Sequence, residues 1–313
     1  MATSGSEHRM DSTLGALEIA LMVELVLYGV TSIQTYAYYS AGERDPHCFK
    51  WMIGLLWLLD TLHQLFFCHG LYTYTIIEFG NVLAPLTETW SIIANIPLNA
   101  TMDAIVRSMF CHRIWKFSGK NWFLVSTIML SSFVEVGSGI AFTVRNARNA
   151  QWAAEHALSA EFYGIVAGSI VADSLIAVSQ VMLLRKHHSE FRRTNSALHT
   201  LMLYSINTGL LTSLCALMMC VLWVTMPDNL VYVVFYAALP TLLLNALLAT
   251  LNARQELREL ISGNPESITF PLLSTAPSSS LTSAAVRHEP GQQELVDVQV
   301  SAEIKIDDLS RIA

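Results

Sequence analysis

The chain of 313 residues is 53% hydrophobic and only 14% charged, whereas about one quarter of the residues in an average soluble domain are charged. Long apolar runs lie between residues 14 and 252, and they hold more apolar surface than one water-soluble core can bury. The composition therefore excludes a soluble enzyme, and the formal net charge of −7 argues against nucleic acid as a partner.

Seven apolar stretches are long enough to cross a bilayer, because a hydrocarbon core about 30 Å thick needs about 20 residues at the helical rise. Helices satisfy their own backbone hydrogen bonds in lipid, which single strands cannot do. We therefore predict an all-α bundle of seven transmembrane helices over residues 14–254, after a short extracytosolic segment, residues 1–13. The predicted spans are 14–38, 51–75, 89–112, 121–143, 161–184, 198–225 and 229–251.

Lys and Arg near the span ends are divided unevenly between the two sides of the membrane. Eleven follow the first, third, fifth and seventh spans, whereas the opposite side holds only Arg9, Arg145 and Arg148. Since basic residues accumulate in cytosolic segments, the N-terminus is predicted outside and the C-terminus in the cytosol. The eleven are Arg44, Lys50, Arg113, Lys116, Lys120, Arg185, Lys186, Arg192, Arg193, Arg254 and Arg258.

Polar side chains within the spans form the candidate site, because ionisable groups in a membrane face the bundle interior or a hydrated cavity. We expect Asp60 to hydrogen-bond His63, and Asp103 to form an intrahelical ion pair with Arg107 four residues later. The candidate cluster comprises Glu24, Asp60, His63, His69, Asp103, Arg107, Glu135, Asp173, Asn207 and Asn245.

Arg107 is the only strong cation predicted inside the bundle, so the buried acids cannot all be ionised and paired. Some are expected to be protonated at neutral pH, since burial disfavours the charged form. Such an excess of acids suits a proton or cation path. It equally suits protonated acids that join helices through hydrogen bonds.

A second candidate surface is basic and cytosolic. One interpretation is that this surface binds a cytosolic partner. The other is that its basic residues reflect only the positive-inside rule and attraction to anionic lipid. Its residues are Arg113, Lys116, Lys120, Arg185, Lys186, Arg192 and Arg193.

Residues 255–313 are predicted to form a disordered cytosolic tail containing Ser, Thr and Pro. Within it, residues 296–306 alternate apolar and polar side chains, which is the pattern of a strand. One interpretation is that this segment forms a strand that pairs with the sheet edge of a cytosolic partner. The other is that the alternation arises by chance.

Known seven-helix classes match this sequence in topology alone. The third span ends in Cys111-His112-Arg113 where G-protein-coupled receptors have a D/E-R-Y motif, and the last span has no Lys for a retinal Schiff base. The late spans also lack the His ligands of a zinc hydrolase. We therefore predict no enzyme, no cofactor and no metal site.

Three blocks of sequence resemble a family of membrane proteins from mushroom-forming fungi. They are LDTLH with CHGLYTY at 59–74, HRIWKFS at 112–118, and a segment from 172 to 254 that includes YSINTGLLTS and NALLATLNAR. The family is defined by a C-terminal domain of unknown function, which would occupy about 167–255 here. The resemblance implies that its pattern includes Asp60, His63, His69, Arg113, Asp173, Asn207 and Asn245.

Two functions follow as predictions for this multi-pass protein, which we expect in the plasma membrane. One is a receptor-like or sensory bundle with a cytosolic tail for partners. The alternative is a proton or cation channel, or a small-solute transporter, that uses the buried acids. The lipid bilayer is the partner common to both.

Overall fold

A computed structural model describes residues 11–40, 46–81, 84, 87–148, 151–152, 156–187, 195–226 and 229–262 of the chain. Side chains at 11–12, 117, 156, 184–187, 195–208 and 254–262 lie outside this description. The bundle occupies the compact unit Met1–Leu257, and the second unit, Arg258–Ala313, is described only where the last helix ends.

Seven long helices occupy the described residues, and no strand is assigned there, so the predicted all-α fold is confirmed. Five of the helices are long and apolar enough to cross a membrane, which makes the chain a multi-pass membrane protein. The helices are α1 (Ala16–Ser40), α2 (His47–Tyr72), α3 (Trp90–Phe117), α4 (Trp122–Asn146), α5 (Ser159–His187), α6 (Asn195–Thr225) and α7 (Val231–Ser262).

Two helices differ in character from the predicted spans. The third, α3, is continuous through Pro97 but is not among the five strongly apolar helices, because its buried face is polar. The last, α7, continues to Ser262, past the predicted end of the seventh span at 251. The rest of the predicted tail, including the alternating segment 296–306, lies outside the described residues.

Local signals in the sequence explain where helices begin and end. Pro46, which lacks a backbone N–H, immediately precedes α2. The Asn121 side chain accepts a hydrogen bond of 3.2 Å from the backbone N–H of Phe123 and so caps the start of α4. Between α3 and α4, Gly119 and Lys120 have φ angles of 70° and 68°, a left-handed pair that reverses the chain tightly.

The last helix is the most enclosed of the five apolar helices. In its most apolar window 67% of residues are buried, against 28–44% in the other four membrane-spanning helices. Side-chain hydrogen bonds connect α7 to three other helices: Asn252 to α1, Thr241 to α2 and Thr250 to α3. Helices α1 to α6 pack against one another in chain order. Polar groups on α7 can therefore meet groups from several helices.

Helices α4 and α5 approach closely, as the spacing of Gly164 and Gly168 predicts. A Cβ atom added at Gly168 would lie 3.0 Å from the backbone nitrogen of Glu135 and 3.0 Å from the carbonyl oxygen of Ser131. A Cβ at Gly164 would collide with the Ser138 side chain. The small residues thus bring the acid-bearing faces of the two helices together.

Candidate functional site

The middle of the bundle contains a charged cluster centred on Arg107, which is 1% exposed. Its Nε atom donates a hydrogen bond of 3.0 Å to Oδ1 of Asp173, and its Nη1 atom donates to Oε2 of Glu135. Its Nη2 atom donates to Oγ of Ser169 at 2.9 Å. We call Arg107, Glu135, Ser169 and Asp173 the Arg107 network. It joins α3, α4 and α5 and gives one cation two carboxylates.

The predicted intrahelical ion pair between Asp103 and Arg107 is wrong. Among the described residues, the carboxylates paired with Arg107 are Glu135 and Asp173, which come from neighbouring helices. Asp103 is also buried and lies close enough to interact electrostatically with Arg107. Packing of α3 against α4 and α5 therefore determines the pairing of Arg107, and the four-residue spacing within α3 does not.

A row of polar side chains runs along the buried face of α3. Its members recur every four residues and so lie on one side of the helix. At 1.5 Å per residue the row extends about 24 Å, from the start of α3 to just beyond its middle. All five are buried. We call this row the α3 polar stripe; it consists of Ser91, Asn95, Asn99, Asp103 and Arg107.

Two members of the α3 polar stripe lack partners. Asn95 and Asn99 are 1% and 4% exposed, and neither the amide nitrogen nor the amide oxygen of either side chain hydrogen-bonds to any described residue. Buried polar groups are nearly always hydrogen-bonded, and each exception calls for a physical explanation. Two amide donors and two carbonyl acceptors are thus available inside the bundle, in the half that holds the N-terminal end of α3.

The stripe ends at Arg107, and the buried positions that follow are apolar. Met109, Phe110, Cys111 and Ile114 belong to a core that also includes Leu244 and neighbouring residues of α7. The buried face of α3 therefore carries its polar stripe only as far as Arg107, and the buried α3 residues beyond this point are apolar.

A second polar group lies where α1, α2 and α7 meet. Oε2 of Glu24 lies 3.3 Å from Nδ1 of His63, and the Thr241 hydroxyl donates a hydrogen bond of 2.8 Å to Oδ1 of Asp60. The expected hydrogen bond between Asp60 and His63 is therefore replaced by contacts of each with another helix. We call this group the α1–α2–α7 polar cluster; it consists of Glu24, Thr31, Asp60, His63, Thr241 and Asn245.

The remaining hydrogen bonds of this cluster connect α1 to α7. The Thr31 hydroxyl donates to Oδ1 of Asn245 at 3.1 Å, and Nδ2 of Asn245 donates to the carbonyl oxygen of Leu27 at 3.2 Å. Asn245 thus uses both ends of its amide, in contrast to Asn95 and Asn99 on α3. Its described contacts suit a structural role between two helices.

His69, the third predicted site residue on α2, lies apart from both groups. Its Nδ1 atom lies 3.1 Å from Oγ of Ser91, and its ring packs against Trp90 with centroids 5.0 Å apart. The structure therefore places His69 at the start of the α3 polar stripe. Throughout the described residues, no set of three or more His, Cys, Asp or Glu side chains is arranged to hold a metal ion.

The predicted cytosolic surface is described in part. Arg113 donates a hydrogen bond of 2.9 Å to the Thr250 hydroxyl, which connects α3 to α7. Nζ of Lys120 lies 5.9 Å from the ring centroid of Trp115. Lys116 lies in the last turn of α3. The side chains of Arg185, Lys186 and Asn207, and all of Arg192 and Arg193, lie outside the described part of the chain.

Sequence reasoning missed Ser169 and Thr241 as site residues. Each lies four residues before a predicted one, Asp173 or Asn245, and so shares its helix face. That spacing was the available signal, but isolated Ser and Thr residues are common in transmembrane helices and carry no charge to mark them. Asn95 and Asn99 lie within the third predicted span, 89–112, but were not among the candidate site residues.

Residues 169–256 match a family of unknown function, DUF6534, which confirms the C-terminal domain expected at about 167–255. No curated protein and no solved structure matches the chain. The matched segment holds Ser169 and Asp173 of the Arg107 network, and Thr241 and Asn245 of the α1–α2–α7 polar cluster. Each group therefore combines residues from the matched segment with residues from earlier helices.

Proposed function

We propose that this chain is a receptor-like membrane protein whose outer half binds a small polar ligand. The observation that carries the proposal is the pair of buried, unpartnered amides, Asn95 and Asn99, on the α3 polar stripe. Leaving a buried donor or acceptor unsatisfied costs about 1–3 kcal/mol. A ligand with both hydroxyl or amine donors and oxygen acceptors would satisfy these groups when it binds.

The end of the stripe favours binding over passage. A path across the membrane needs polar groups along its whole length, but the α3 polar stripe stops at Arg107 and the buried positions of α3 beyond it are apolar. The Arg107 network forms the floor of the proposed site. Because the network joins three helices, a ligand above it would bias how α3, α4 and α5 pack.

The orientation of the proposed receptor and its cytosolic partners are predictions from the sequence. With the N-terminus outside, the ligand would enter from the outer face, and the Arg113–Thr250 contact would lie near the cytosolic face. Partners would bind the basic surface or the tail, with anionic lipid as a competing occupant of the basic surface. In this proposal the protein is not an enzyme, lies in the plasma membrane and belongs to the fungal family that its sequence resembles.

Cysteine accessibility from each side of the membrane tests the proposal. Asn95→Cys and Asn99→Cys would be made in a background without reactive native cysteines and treated with a charged, membrane-impermeant thiol reagent. We expect labelling from the outer side only, with Met109→Cys unlabelled as the matched control on the same helix. Labelling of Asn99→Cys from both sides would favour a conduction path, and no labelling from either side would contradict the proposal.

The excess of buried acids favours a second candidate, a proton or cation path. Arg107 is the only Lys or Arg among the buried described residues, whereas six acids are buried there: Glu24, Asp60, Glu88, Asp103, Glu135 and Asp173. Flux measured in liposomes with the purified protein tests this candidate. Flux that Asp60→Asn abolishes would replace the receptor proposal, and a folded protein without flux would exclude the path.

A further inference from the structure

The segments that precede α3 and α5 are joined at the end of the bundle that is predicted outside. Thr87, before α3, and Gln151, before α5, form an antiparallel bridge. Tyr74, in the turn that follows α2, donates a hydrogen bond of 2.8 Å from its hydroxyl to the carbonyl oxygen of Thr87. The same hydroxyl accepts a hydrogen bond of 3.0 Å from the backbone N–H of Thr89. The end of α2 thus holds the segment before α3 in place.

A buried side-chain contact connects the same segment to the end of α4. Nδ2 of Asn146 donates a hydrogen bond of 2.7 Å to Oε2 of Glu88. Asn146, Glu88 and Tyr74 are all buried, although they lie at the ends of helices or in a connection between them. We call this set of contacts the outer clamp; it consists of Tyr74, Thr87, Glu88, Thr89, Asn146 and Gln151.

An apolar layer lies next to the outer clamp. Trp152, which follows Gln151, packs against a buried cluster that includes Ile92 and Ile96 of α3. Asn95 lies between these two isoleucines in sequence, six residues after Thr89 and therefore about 9 Å further along the axis of α3. The clamp and the apolar layer thus lie at the outer end of the α3 polar stripe.

The proposed ligand site is closed in this structure. Asn95 and Asn99 are 1% and 4% exposed, so a ligand reaches them only after some packing opens. Separating the helices would disrupt the close contact of α4 with α5 at Gly168 and the ion pairs of Arg107. Opening the clamp disrupts a few hydrogen bonds of connecting segments, and local opening of this kind costs less free energy than separation of packed helices.

We infer that the outer clamp is the gate of the proposed ligand site, through which a small polar ligand enters from the outer face. The hydroxyl of Tyr74 and the contact between Glu88 and Asn146 hold the gate closed. Closure after binding would enclose the ligand between the clamp and the Arg107 network. This inference rests on the proposed function, because the gate needs a site to serve.

Cysteine accessibility measures the opening of the clamp. Asn99→Cys, in the full-length protein without reactive native cysteines, is expected to react with a membrane-impermeant thiol reagent only while the clamp is open. Tyr74→Phe removes both hydrogen bonds of the hydroxyl, and Asn146→Ala removes the contact with Glu88. Each lost hydrogen bond should raise the rate of labelling from the outer side about 2- to 10-fold.

Tyr72→Phe is the matched control for Tyr74→Phe. It is the same substitution two residues earlier in the chain, at a side chain that is 56% exposed and lies outside the clamp. We expect it to leave the rate of labelling at position 99 unchanged.

A reversible cross-link tests the gate in the opposite direction. Paired residues of an antiparallel bridge have Cα atoms about 4.5–5.5 Å apart, which allows a disulfide to form. Thr87→Cys combined with Gln151→Cys should therefore lock the clamp under oxidising conditions. We expect labelling at position 99 to be lost in the oxidised protein and regained after reduction and removal of the reductant. Peptide mass spectrometry distinguishes label at position 99 from label at positions 87 and 151.

The outcomes separate the gate from the site. Equal labelling at position 99 in the oxidised and reduced proteins would overturn the inference and leave the proposed ligand site in place. Rates for Tyr74→Phe and Asn146→Ala that match Tyr72→Phe would overturn it as well, and so would a cysteine pair at positions 87 and 151 that does not oxidise. If a clamp variant fails to fold, the cross-linked pair still decides. No labelling from either side in any variant would contradict the proposed function, and the gate with it.

Discussion

Arg107 on α3 and Asp173 on α5, 66 residues apart in sequence, are joined by a hydrogen bond of 3.0 Å between Nε and Oδ1 in the middle of the bundle. The same guanidinium also holds Glu135 of α4. This one buried side chain pairs with two carboxylates and so connects three helices. Its removal would leave two acids buried without compensation.

We predict that Arg107→Met lowers the free energy of unfolding by about 3–5 kcal/mol, the cost of breaking a buried ion pair from one side. Adding Glu135→Gln and Asp173→Asn to this variant should recover much of the loss, because the stranded charges are then neutral. Chemical denaturation of the detergent-purified protein measures both changes.

The exposed pair Arg145–Glu161 provides a matched control, since Arg145 is 53% exposed. Surface ion pairs contribute about 0–1 kcal/mol, so Arg145→Met should change stability by no more than that. Equal small losses from Arg107→Met and Arg145→Met would show that the Arg107 network contributes little to the fold.

Close packing of α4 on α5 leads to a prediction about glycine. At Gly168 an added Cβ would meet backbone atoms of Glu135 and Ser131 at 3.0 Å, and backbone cannot rotate away. Gly168→Ala should therefore separate the helices and cost about 1–3 kcal/mol. It should also weaken the pairing of Glu135 with Arg107.

Gly137 on α4 is the control, because no atom lies within 4 Å of a Cβ added there. Gly137→Ala should stabilise the helix by up to about 1 kcal/mol, the ordinary difference in helix propensity. Melting temperatures of the two variants should thus move in opposite directions. A neutral Gly168→Ala would contradict the close approach of α4 and α5.

The helices could be predicted from the sequence because their apolar length is a local property. A bilayer requires about 20 apolar residues, and each span can be counted without knowledge of its neighbours. The boundary of α7 was harder to place. Helical residues continue beyond the apolar stretch to Ser262, and hydropathy does not detect a polar continuation.

The sequence predicted which residues belong to the site but not which of them contact each other. Most residues selected as buried polar groups are indeed buried, but both expected pairings, Asp60 with His63 and Asp103 with Arg107, connected neighbours on one helix. The observed contacts of His63 and Arg107 cross to other helices instead. Such pairings depend on which faces pack together, and the sequence carries no local signal for that.

The orientation predicted from the basic residues can be tested with glycosylation acceptors. Ala2→Asn creates an Asn-Thr-Ser acceptor in the N-terminal segment, and Leu273→Asn creates an Asn-Ser-Thr acceptor in the tail. After expression in a eukaryotic cell, we expect a glycosidase-sensitive mobility shift for the first variant only. The reverse result would place the C-terminus outside and invert the proposed direction of ligand entry.

Buried Asn99 and half-buried Asn245 lead to opposite predictions. Asn99 has no described hydrogen-bond partner, whereas Asn245 accepts from Thr31 and donates to Leu27. An unsatisfied buried amide costs about 1–3 kcal/mol, so Asn99→Leu should raise the stability of the ligand-free protein by an amount in that range. Asn245→Leu should lower stability by about 1 kcal/mol, because it removes the hydrogen bonds that the amide makes with the Thr31 hydroxyl and the Leu27 carbonyl of α1.

Denaturation of the purified protein without added ligand measures both asparagine variants. Opposite signs would mean that Asn99 is maintained at the expense of stability, as a binding residue often is. If Asn99→Leu instead destabilises the protein as Asn245→Leu does, then Asn99 is a structural residue. The receptor proposal would in that case lose the observation on which it rests.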